Sequence, residues 1–232
     1  MKTCFVDYRI NKKEEHILSS NNLKIIKVNK NPYLYDAING HPDIQINILN
    51  NKNLIIAKNS LLNKTLINSK DLKIINSKSE LKEKYPNNIF LNAVNLKNFF
   101  IHNLKYTDEN LLNEVKEKTL INVKQGYTKC SCAIVNDNAL MTSDIGIFNS
   151  LKPYPIDILY IPTGDITLLG LDYGFIGGTC GLISKDSMAF FGNLKYHSFG
   201  NDVIKFLHKH NVKPIFLSNN KLIDRGSILT LL

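Results

Sequence analysis

The apolar positions of this chain gather into pairs of short runs joined by a polar turn, and the pair recurs four times. Residues 45–48 and 54–57 flank the turn 50–53, and residues 91–94 and 99–102 flank 96–98. Residues 132–135 and 139–142 flank 136–138, and residues 181–184 and 188–191 flank 185–187. Each copy is an apolar strand, a short turn rich in Asn, Asp or Lys, and a second apolar strand, which is the pattern of a β-hairpin. The copies follow one another every ~40–50 residues, a period found in repeat and propeller folds. A repeat of this kind brings residues distant in sequence to equivalent points of one structure.

A polar or amphipathic stretch and another short apolar strand follow each hairpin. In the third unit Thr107 or Asp108 caps a helix over 109–118, with Leu111, Leu112 and Val115 on one face, and 119–123 reads as a strand. In the last hairpin unit 202–210 is helical, with Val203, Ile204, Phe206 and Leu207 apolar, and 213–217 is a strand. The corresponding stretches are 60–69 before a strand 72–75 in the second unit, and 148–154 before a strand 157–161 in the fourth. The N-terminal segment holds a helix 12–18 and a strand 23–28, and the C-terminus holds a strand 227–231. Joined, the two ends make a fifth unit. The expected architecture is therefore α/β: a five-module α/β propeller of pseudo-fivefold strand–strand–helix–strand repeats, one domain over 1–232, closed by the C-terminal strand joining the N-terminal module. Closure of this kind leaves no exposed sheet edge. The rival reading is an irregular α+β fold with several unrelated hairpins.

Composition narrows the setting. A chain of 232 residues with 44% hydrophobic and 21% charged residues can bury a substantial core. It holds no apolar run of the ~18 residues that a membrane span needs, and its start reaches Asp7 and Arg9 too soon for a signal-peptide core. A cytoplasmic protein with no membrane partner is expected. Cys4, Cys130, Cys132 and Cys180 fit that compartment as free thiols, and they lack the paired spacing of a zinc site. The formal charge of +9 permits attraction to nucleic acid. The lysines are scattered, however, and the aromatic residues do not interleave with them as a single-strand binding surface requires. Phe99, Phe100, Phe190 and Phe191 fall inside strands and read as core.

The stretches Lys84-Tyr85-Pro86-Asn87-Asn88-Ile89, His102-Asn103-Leu104-Lys105-Tyr106-Thr107-Asp108, Val123-Lys124-Gln125-Gly126-Tyr127 with Lys129-Cys130-Ser131, and Asp172-Tyr173-Gly174-Phe175-Ile176-Gly177-Gly178 carry a family likeness. Over its whole length the chain resembles the pentein, or guanidino-group-modifying enzyme, fold, and more closely a bacterial family of that fold to which no activity is attached. The fold group includes amidinotransferases, arginine and agmatine deiminases and dimethylarginine hydrolases, and also non-catalytic ribosome anti-association factors. Its catalytic members carry a nucleophilic Cys in a Gly-rich strand near the C-terminus, paired with a His from a middle module. The matching segment here, Arg225-Gly226-Ser227-Ile228-Leu229-Thr230, has no Cys, and the middle modules offer only His102, at the end of an outer strand. The resemblance thus implies the fold without implying deiminase or amidinotransferase chemistry.

In a ring of modules the start of each inner strand points to the axis. Those positions are Gly40-His41-Pro42-Asp43, Asn92 and Asn95, Lys129-Cys130-Ser131-Cys132, Gly177-Gly178-Thr179-Cys180-Gly181, and Asp224-Arg225-Gly226-Ser227. Convergent polar groups in a central pocket make the default binding site. Cys180 stands among glycines that let a ligand approach the backbone, and His41 and Asp43 are the His–acid pair at axial positions, so Cys180, His41 and Asp43 are the candidate catalytic set. The competing reading makes Cys180 a small core residue in a tight turn. Candidate ligand contacts are Asn92, Lys129, Cys130, Ser131, Asp144, Gly177, Gly178, Thr179, Asp224, Arg225 and Ser227. Cys130 and Cys132 alternate along a strand and face one side, with Lys129 able to favour a thiolate. Asp144 and Asp165 equally read as turn or capping residues. His41, Asp43 and Asp144 lack metal-ligand spacing, so neither a metal nor a cofactor is expected. The favoured function is binding of a small polar amine, guanidino or amino-acid-like ligand at the central channel, extending to hydrolysis or group transfer through Cys180 or Cys130. The alternative is a non-catalytic protein binding RNA or a ribosomal surface, or a degenerate enzyme kept as a structural partner.

Overall fold

The apolar runs lack a polar face because the centre strand of each sheet is covered on both sides. The structure, a computed structural model, describes residues 1–66 and 72–232. It opens with β1 (Lys2–Asp7), α1 (Lys12–Ser20) and β2 (Leu23–Val28), and β1 pairs in parallel with β2. Asn11 and Glu14 form a capping box that starts α1. A helical turn, α2 (Pro42–Gln45), leads into β3 (Ile46–Ile48), β4 (Asn53–Ile56), α3 (Leu62–Leu66) and β5 (Lys73–Asn76). The third unit is β6 (Val94–Asn95), β7 (Phe99–His102), α4 (Glu109–Val115) and β8 (Thr119–Asn122). Another helical turn, α5 (Thr128–Ser131), precedes β9 (Cys132–Asn136), β10 (Ala139–Thr142), α6 (Ile145–Leu151) and β11 (Asp157–Tyr160). After β12 (Ile166–Thr167), a 3-10 turn (Ile176–Thr179) precedes β13 (Cys180–Ser184), β14 (Ser187–Phe190), α7 (Gly200–Lys209) and β15 (Lys213–Phe216). The short strands β16 (Leu222–Ile223) and β17 (Leu229–Thr230) end the chain.

Five three-stranded sheets result: β17-β1-β2, β3-β4-β5, β6-β7-β8, β9-β10-β11 and β13-β14-β15. In each, the centre strand is antiparallel to one neighbour and parallel to the other, which it reaches through a helix. The first sheet takes its antiparallel strand from the C-terminus, Cys4 facing Thr230 and Phe5 facing Leu229. A sixth, two-stranded parallel sheet joins β12 to β16 and has no counterpart in the hairpin pattern. Among the described residues no sheet closes on itself.

Successive side chains of a strand point to opposite faces, and here both faces are apolar. In β4, Leu54 and Ile56 pack with Phe5 and Val28 of the first sheet, while Ile55 packs with Phe100 and Leu111 of the third unit. In β7, Phe100 turns to that second-unit side and Ile101 to Leu140 and Ile147 of the fourth. In β10, Met141 packs with Phe190 and Val203 of the fifth unit. In β14, Ala189 joins Cys4, Val6 and Leu18 of the first. Each hydrophobic cluster thus joins two consecutive sheets, and the fifth sheet packs against the first. At ~1.5–3 kcal/mol for each fully buried aliphatic or aromatic side chain, these clusters are the main source of stability.

Most expected elements are present within a residue or two. Helix 109–118 ends at Val115, with Asp108 accepting the Asn110 N–H as its cap. The expected helix over 148–154 lies earlier, at Ile145–Leu151, because Asp144 caps it. For the expected helix 60–69, the stretch 62–66 is helical and residues 67–69 lie outside the described residues. The strand expected over 91–94 is reduced to Val94–Asn95: the Asn92 N–H bonds the Ile89 carbonyl and the Ala93 N–H the Leu91 carbonyl, which makes a turn. His102 ends the centre strand β7, not an outer one.

Two contacts yield tests. A Cβ on Gly181 would stand 1.8 Å from the Ile228 carbonyl oxygen, so β13 and the segment before β17 meet only through glycine. Gly181→Ala should cost about 3 kcal/mol or more, read as a lower urea midpoint; an unchanged midpoint would contradict the close approach. His102 is buried between Thr107 Oγ1 (2.7 Å from Nδ1) and the Gly126 carbonyl (3.1 Å from Nε2). The carbonyl can only accept, so Nε2 carries the proton and Nδ1 accepts from Thr107. Burial pushes the His102 pKa down to about 4. The unfolded chain takes up this proton below its ordinary value of ~6.5, while the folded chain refuses it until about 4. Stability from this group is complete above that window and falls on acidification by up to ~1.4 kcal/mol per pH unit. His102→Gln should show a shallower decline between pH 6.5 and 4 in parallel denaturant titrations, and parallel curves would rule the assignment out.

Candidate active site

The segments entering the inner strands carry the polar residues of the interior. Pro42 at the first position of α2 starts a turn that buries Asp43. Asn92 lies in the turn before β6, Lys129 and Cys130 in α5 before β9, and Asp224–Ser227 before β17. These pieces converge. The Ser227 hydroxyl lies 2.6 Å from Asp43 Oδ2, and the Cys130 thiol donates to the same oxygen at 3.1 Å. Lys129 Nζ donates to Ser227 Oγ at 2.9 Å and reaches the Cys132 carbonyl at 3.4 Å. The Asn92 amide donates to the Asp43 carbonyl (3.0 Å) and to Cys130 Sγ (3.2 Å), while its oxygen accepts the N–H groups of Lys129 and Cys130. Ser227 Oγ is also 2.7 Å from the Gly177 carbonyl. One hydroxyl proton cannot serve both acceptors, so the two contacts are both made only when Asp43 brings a proton. Burial indeed pushes the Asp43 carboxyl up, against the opposing pull of Lys129.

Beside this network lies His41, fully buried, with neither ring nitrogen hydrogen-bonded. Asp224 Oδ1 is 4.0 Å from its Nδ1. Asp224 itself accepts the N–H groups of Phe175 (2.8 Å) and Gly226 (3.0 Å). Burial lowers the His41 pKa and raises that of Asp224. One ligand atom each from His41, Asp43 and Cys130 fall within 4.8 Å of one another. Gly226 (φ +67°) and Ser227 (φ +71°) sit in the left-handed region, and a Cβ on Gly226 would stand 2.2 Å from the His41 Cβ. A non-glycine residue held there is strained, and such strain gathers at functional sites.

His41, Cys130 and Asp224 open onto a cavity of about 230 Å³ walled by Tyr35, Tyr127, Tyr173 and Phe175. A larger cavity of about 670 Å³ is lined by inner-strand residues such as Asn47, Asn95 and Leu182, with Lys129. Neighbours on one helical turn, Lys129 and Cys130, thus face different cavities. The smaller one is the candidate site, because the thiol, the imidazole and a carboxylate meet there.

The candidate residues divide accordingly. His41, Asp43, Asn92, Lys129, Cys130, Asp224 and Ser227 are brought together. Cys180 does not join His41: its thiol bonds the Ile176 carbonyl at 3.4 Å and packs among Ala133, Met141 and Phe190. The cysteine that meets Asp43 is Cys130. Cys130 and Cys132 do not alternate on a strand, since α5 carries Cys130 and only Cys132 enters β9, where it joins the apolar cluster of Leu140. The Ser131 side chain is buried away from hydrogen-bond partners. Thr179 donates to Ile176 O, and Gly177 and Gly178 allow tight packing: a Cβ would stand 2.2 Å from Cys132 O and 1.9 Å from Asp224 Oδ1. Arg225 pairs with Glu14 at 2.7 Å over the Phe191 ring. Asp144 caps α6 and accepts from Gln125, and Asp165 accepts from Ser198. The aromatic walls were absent from the expected site; Tyr173 and Phe175 come from a segment without strand or helix periodicity.

A model described as a family of unknown function (DUF6873) matches residues 5–229. The chain belongs to that family. No curated protein matches the sequence significantly. Among solved structures, agmatine deiminase of C. jejuni is similar, with a TM-score of 0.58 at 11% identity over 99% of this chain and 92% of that one. SxtG, an amidinotransferase of saxitoxin biosynthesis from Microseira wollei, matches with a TM-score of 0.57 at 12% identity, covering 97% of this chain and 89% of that one. An inosamine-phosphate amidinotransferase from Streptomyces griseus gives 0.55 at 10% identity over 95% and 80%. At such identities the likeness shows the fold alone, and that fold is the pentein fold. No helix among the described residues of this DUF6873 chain is long and apolar enough to cross a membrane.

The thiols give the site a direct test. Burial pushes Cys4, Cys132 and Cys180 up to about 12 and Cys130 well up, with Asp43 adding to the effect on Cys130. All four are buried and free, and only Cys130 lines the small cavity. Small alkylating reagents at neutral pH should therefore label the native protein slowly and at Cys130 first, by peptide mass mapping. Faster labelling of Cys180 would contradict this arrangement.

Proposed function

We propose that the protein binds a small cationic ligand bearing a guanidino, amidino or amine group in the cavity over His41, Cys130 and Asp224, and that Cys130 is the nucleophile of a hydrolytic or transfer reaction on the carbon of a guanidino or amidino group. The observation that carries this reading is the meeting of a thiol, an unpartnered imidazole and the buried Asp224 carboxyl at one small aromatic-walled cavity, with Asp43 against the thiol behind its wall. The cavity of about 230 Å³ is smaller than the ~300–1,000 Å³ of drug-sized sites and suits a compact ligand. Asp224 offers an acceptor for N–H donors at the cavity wall, and the tyrosine faces favour a cation. The fold of guanidino-modifying enzymes supports the same ligand class. In the same reading the five sheets stand as modules around one pseudo-fivefold axis, the C-terminal strand closing the ring; the packing of the fifth sheet on the first supports this.

The chemistry follows from the resting state. Burial keeps the Cys130 thiol and the His41 imidazole neutral. A cation entering beside them favours the thiolate, as an opposite charge does at ~4–6 Å. The thiol proton passes to His41, sulfur attacks the electrophilic carbon of the amidino group, and the protonated imidazole returns the proton to the departing amine. Water, or a second amine, then displaces the thiol. Asp43 and Asn92 position the sulfur through the bonds given above, and Asp224 stands beside the imidazolium.

A haloalkyl amidine tests the reading on metal-free protein. It should alkylate Cys130 at least about 10-fold faster than the neutral haloacetamide does, since one order of magnitude corresponds to ~1.4 kcal/mol of cation recognition. Asp224→Asn should erase most of that advantage, and Cys180→Ala should leave it intact. Equal rates for the charged and neutral reagents would refute a cation site.

A further inference from the structure

His41 poses a problem that the proposed reaction does not solve. Both of its ring nitrogens and Oδ1 of Asp43 are buried without a hydrogen-bond partner. An unsatisfied buried polar group is costly, and such groups in a folded protein call for a bound water or ion. The residues that carry them also lie together: one nitrogen of His41, one carboxylate oxygen of Asp43 and Cys130 Sγ are mutually within 4.8 Å, a set of three different donors.

We propose that His41, Asp43 and Cys130 form a binding site for a thiophilic divalent metal ion of the zinc class, with a fourth position open to the small cavity. Donors around a tetrahedral ion with bonds of 2.0–2.3 Å stand roughly 3.3–3.8 Å apart, so a contraction of about 1.5 Å or less completes the site. Asp43 and Cys130 are already in contact, at 3.1 Å between Sγ and Oδ2. Thiolate with imidazole selects zinc-like ions over Mg²⁺ and Ca²⁺, which take oxygen ligands. Binding forms the metal–sulfur and metal–carboxylate bonds and releases the Cys130 thiol proton and the Asp43 carboxyl proton to solvent. Thiolate and carboxylate then balance the two positive charges of the ion.

The surroundings are those of a supported site. Ser227 occupies Oδ2 of Asp43 and leaves Oδ1 free. Asn92 holds Cys130 through its sulfur and its backbone N–H. Asp224 lies beside the His41 ring at 4.0 Å, the kind of carboxylate that orients a ligating histidine. His41 and Cys130 line the cavity, which provides an entry path. Asp144, the carboxylate grouped with them from sequence, is engaged at the start of α6 and takes no part.

The inference does not depend on the proposed reaction. A coordinated thiolate is withdrawn from attack, so metal and covalent reaction exclude each other at Cys130, and each reading can fail while the other stands. The test uses the full chain stripped with a chelator and titrated with Zn²⁺ against a chromophoric competitor. One equivalent should bind, and Zn²⁺ should protect Cys130 from haloacetamide. Co²⁺ in its place should give a thiolate charge-transfer band in the near ultraviolet that Cys130→Ser removes. Asp224→Asn should weaken Zn²⁺ binding about 10- to 100-fold, while Cys180→Ala should not change it. Absence of stoichiometric binding would overturn the proposal. So would one bound equivalent with Cys130 alkylated at the metal-free rate, because the ion would then sit elsewhere. The protection measurement uses the natural chain, so it decides the question even if a substituted chain does not fold.

Discussion

The structure depends on the burial of both faces of every centre strand. A strand with apolar side chains on both sides must be covered twice, and each sheet here is only three strands wide. The remaining apolar face has to find a neighbouring sheet. Leu54 and Ile56 turn to one neighbour while Ile55 turns to the other, and Ala189 and Phe190 divide in the same way. The consequence for function is positional. Turns that precede the inner strands are carried to a common interior, and their side chains meet although they lie as far apart as Asp43 and Ser227.

That interior holds groups which cost stability. Asp43, Asp224, His41 and Cys130 are buried, and burial disfavours the charged form of each. Breaking up a buried polar cluster leaves its members unpaired, which is why removing one member is usually more harmful than replacing all of them by apolar groups. The cluster is also incompletely satisfied, and it is reached through left-handed backbone at Gly226 and Ser227. Local rules are broken here and kept in the surrounding sheets. The proposed ligand site accounts for this combination at a cavity wall, since real folds break local rules where they function.

Much of the framework was legible in the chain. Turn residues between apolar runs mark the hairpins, and Asp108 marks a helix start by its capping chemistry; Asp144, read as a turn or capping residue, starts α6 three residues before the expected stretch. The grouping of His41 with Asp43, and the inward placement of Asn92, Lys129 and Asp224, also followed from the repeat. What was not legible was the backbone just before each inner strand. Read as strand, 130–132 places Cys130 and Cys132 on one side; folded as a helical turn, it sends Cys130 to the cavity and Cys132 to the apolar cluster. Cys180 was drawn in by its glycines, yet those glycines serve close packing against Asp224 and Ile228, not ligand approach. Tyr173 and Phe175 belong to an irregular segment, held at the site by contacts distant in sequence: the pairing of β12 with β16 and the Phe175 N–H bond to Asp224.

The most direct measurement is a crystal structure of the protein soaked with a guanidino amino acid. The account predicts ligand density in the small cavity, with the guanidino group between Asp224 and the tyrosine rings and its carbon facing the Cys130 sulfur. Density in the larger cavity beside Lys129, with the small one empty, would contradict it.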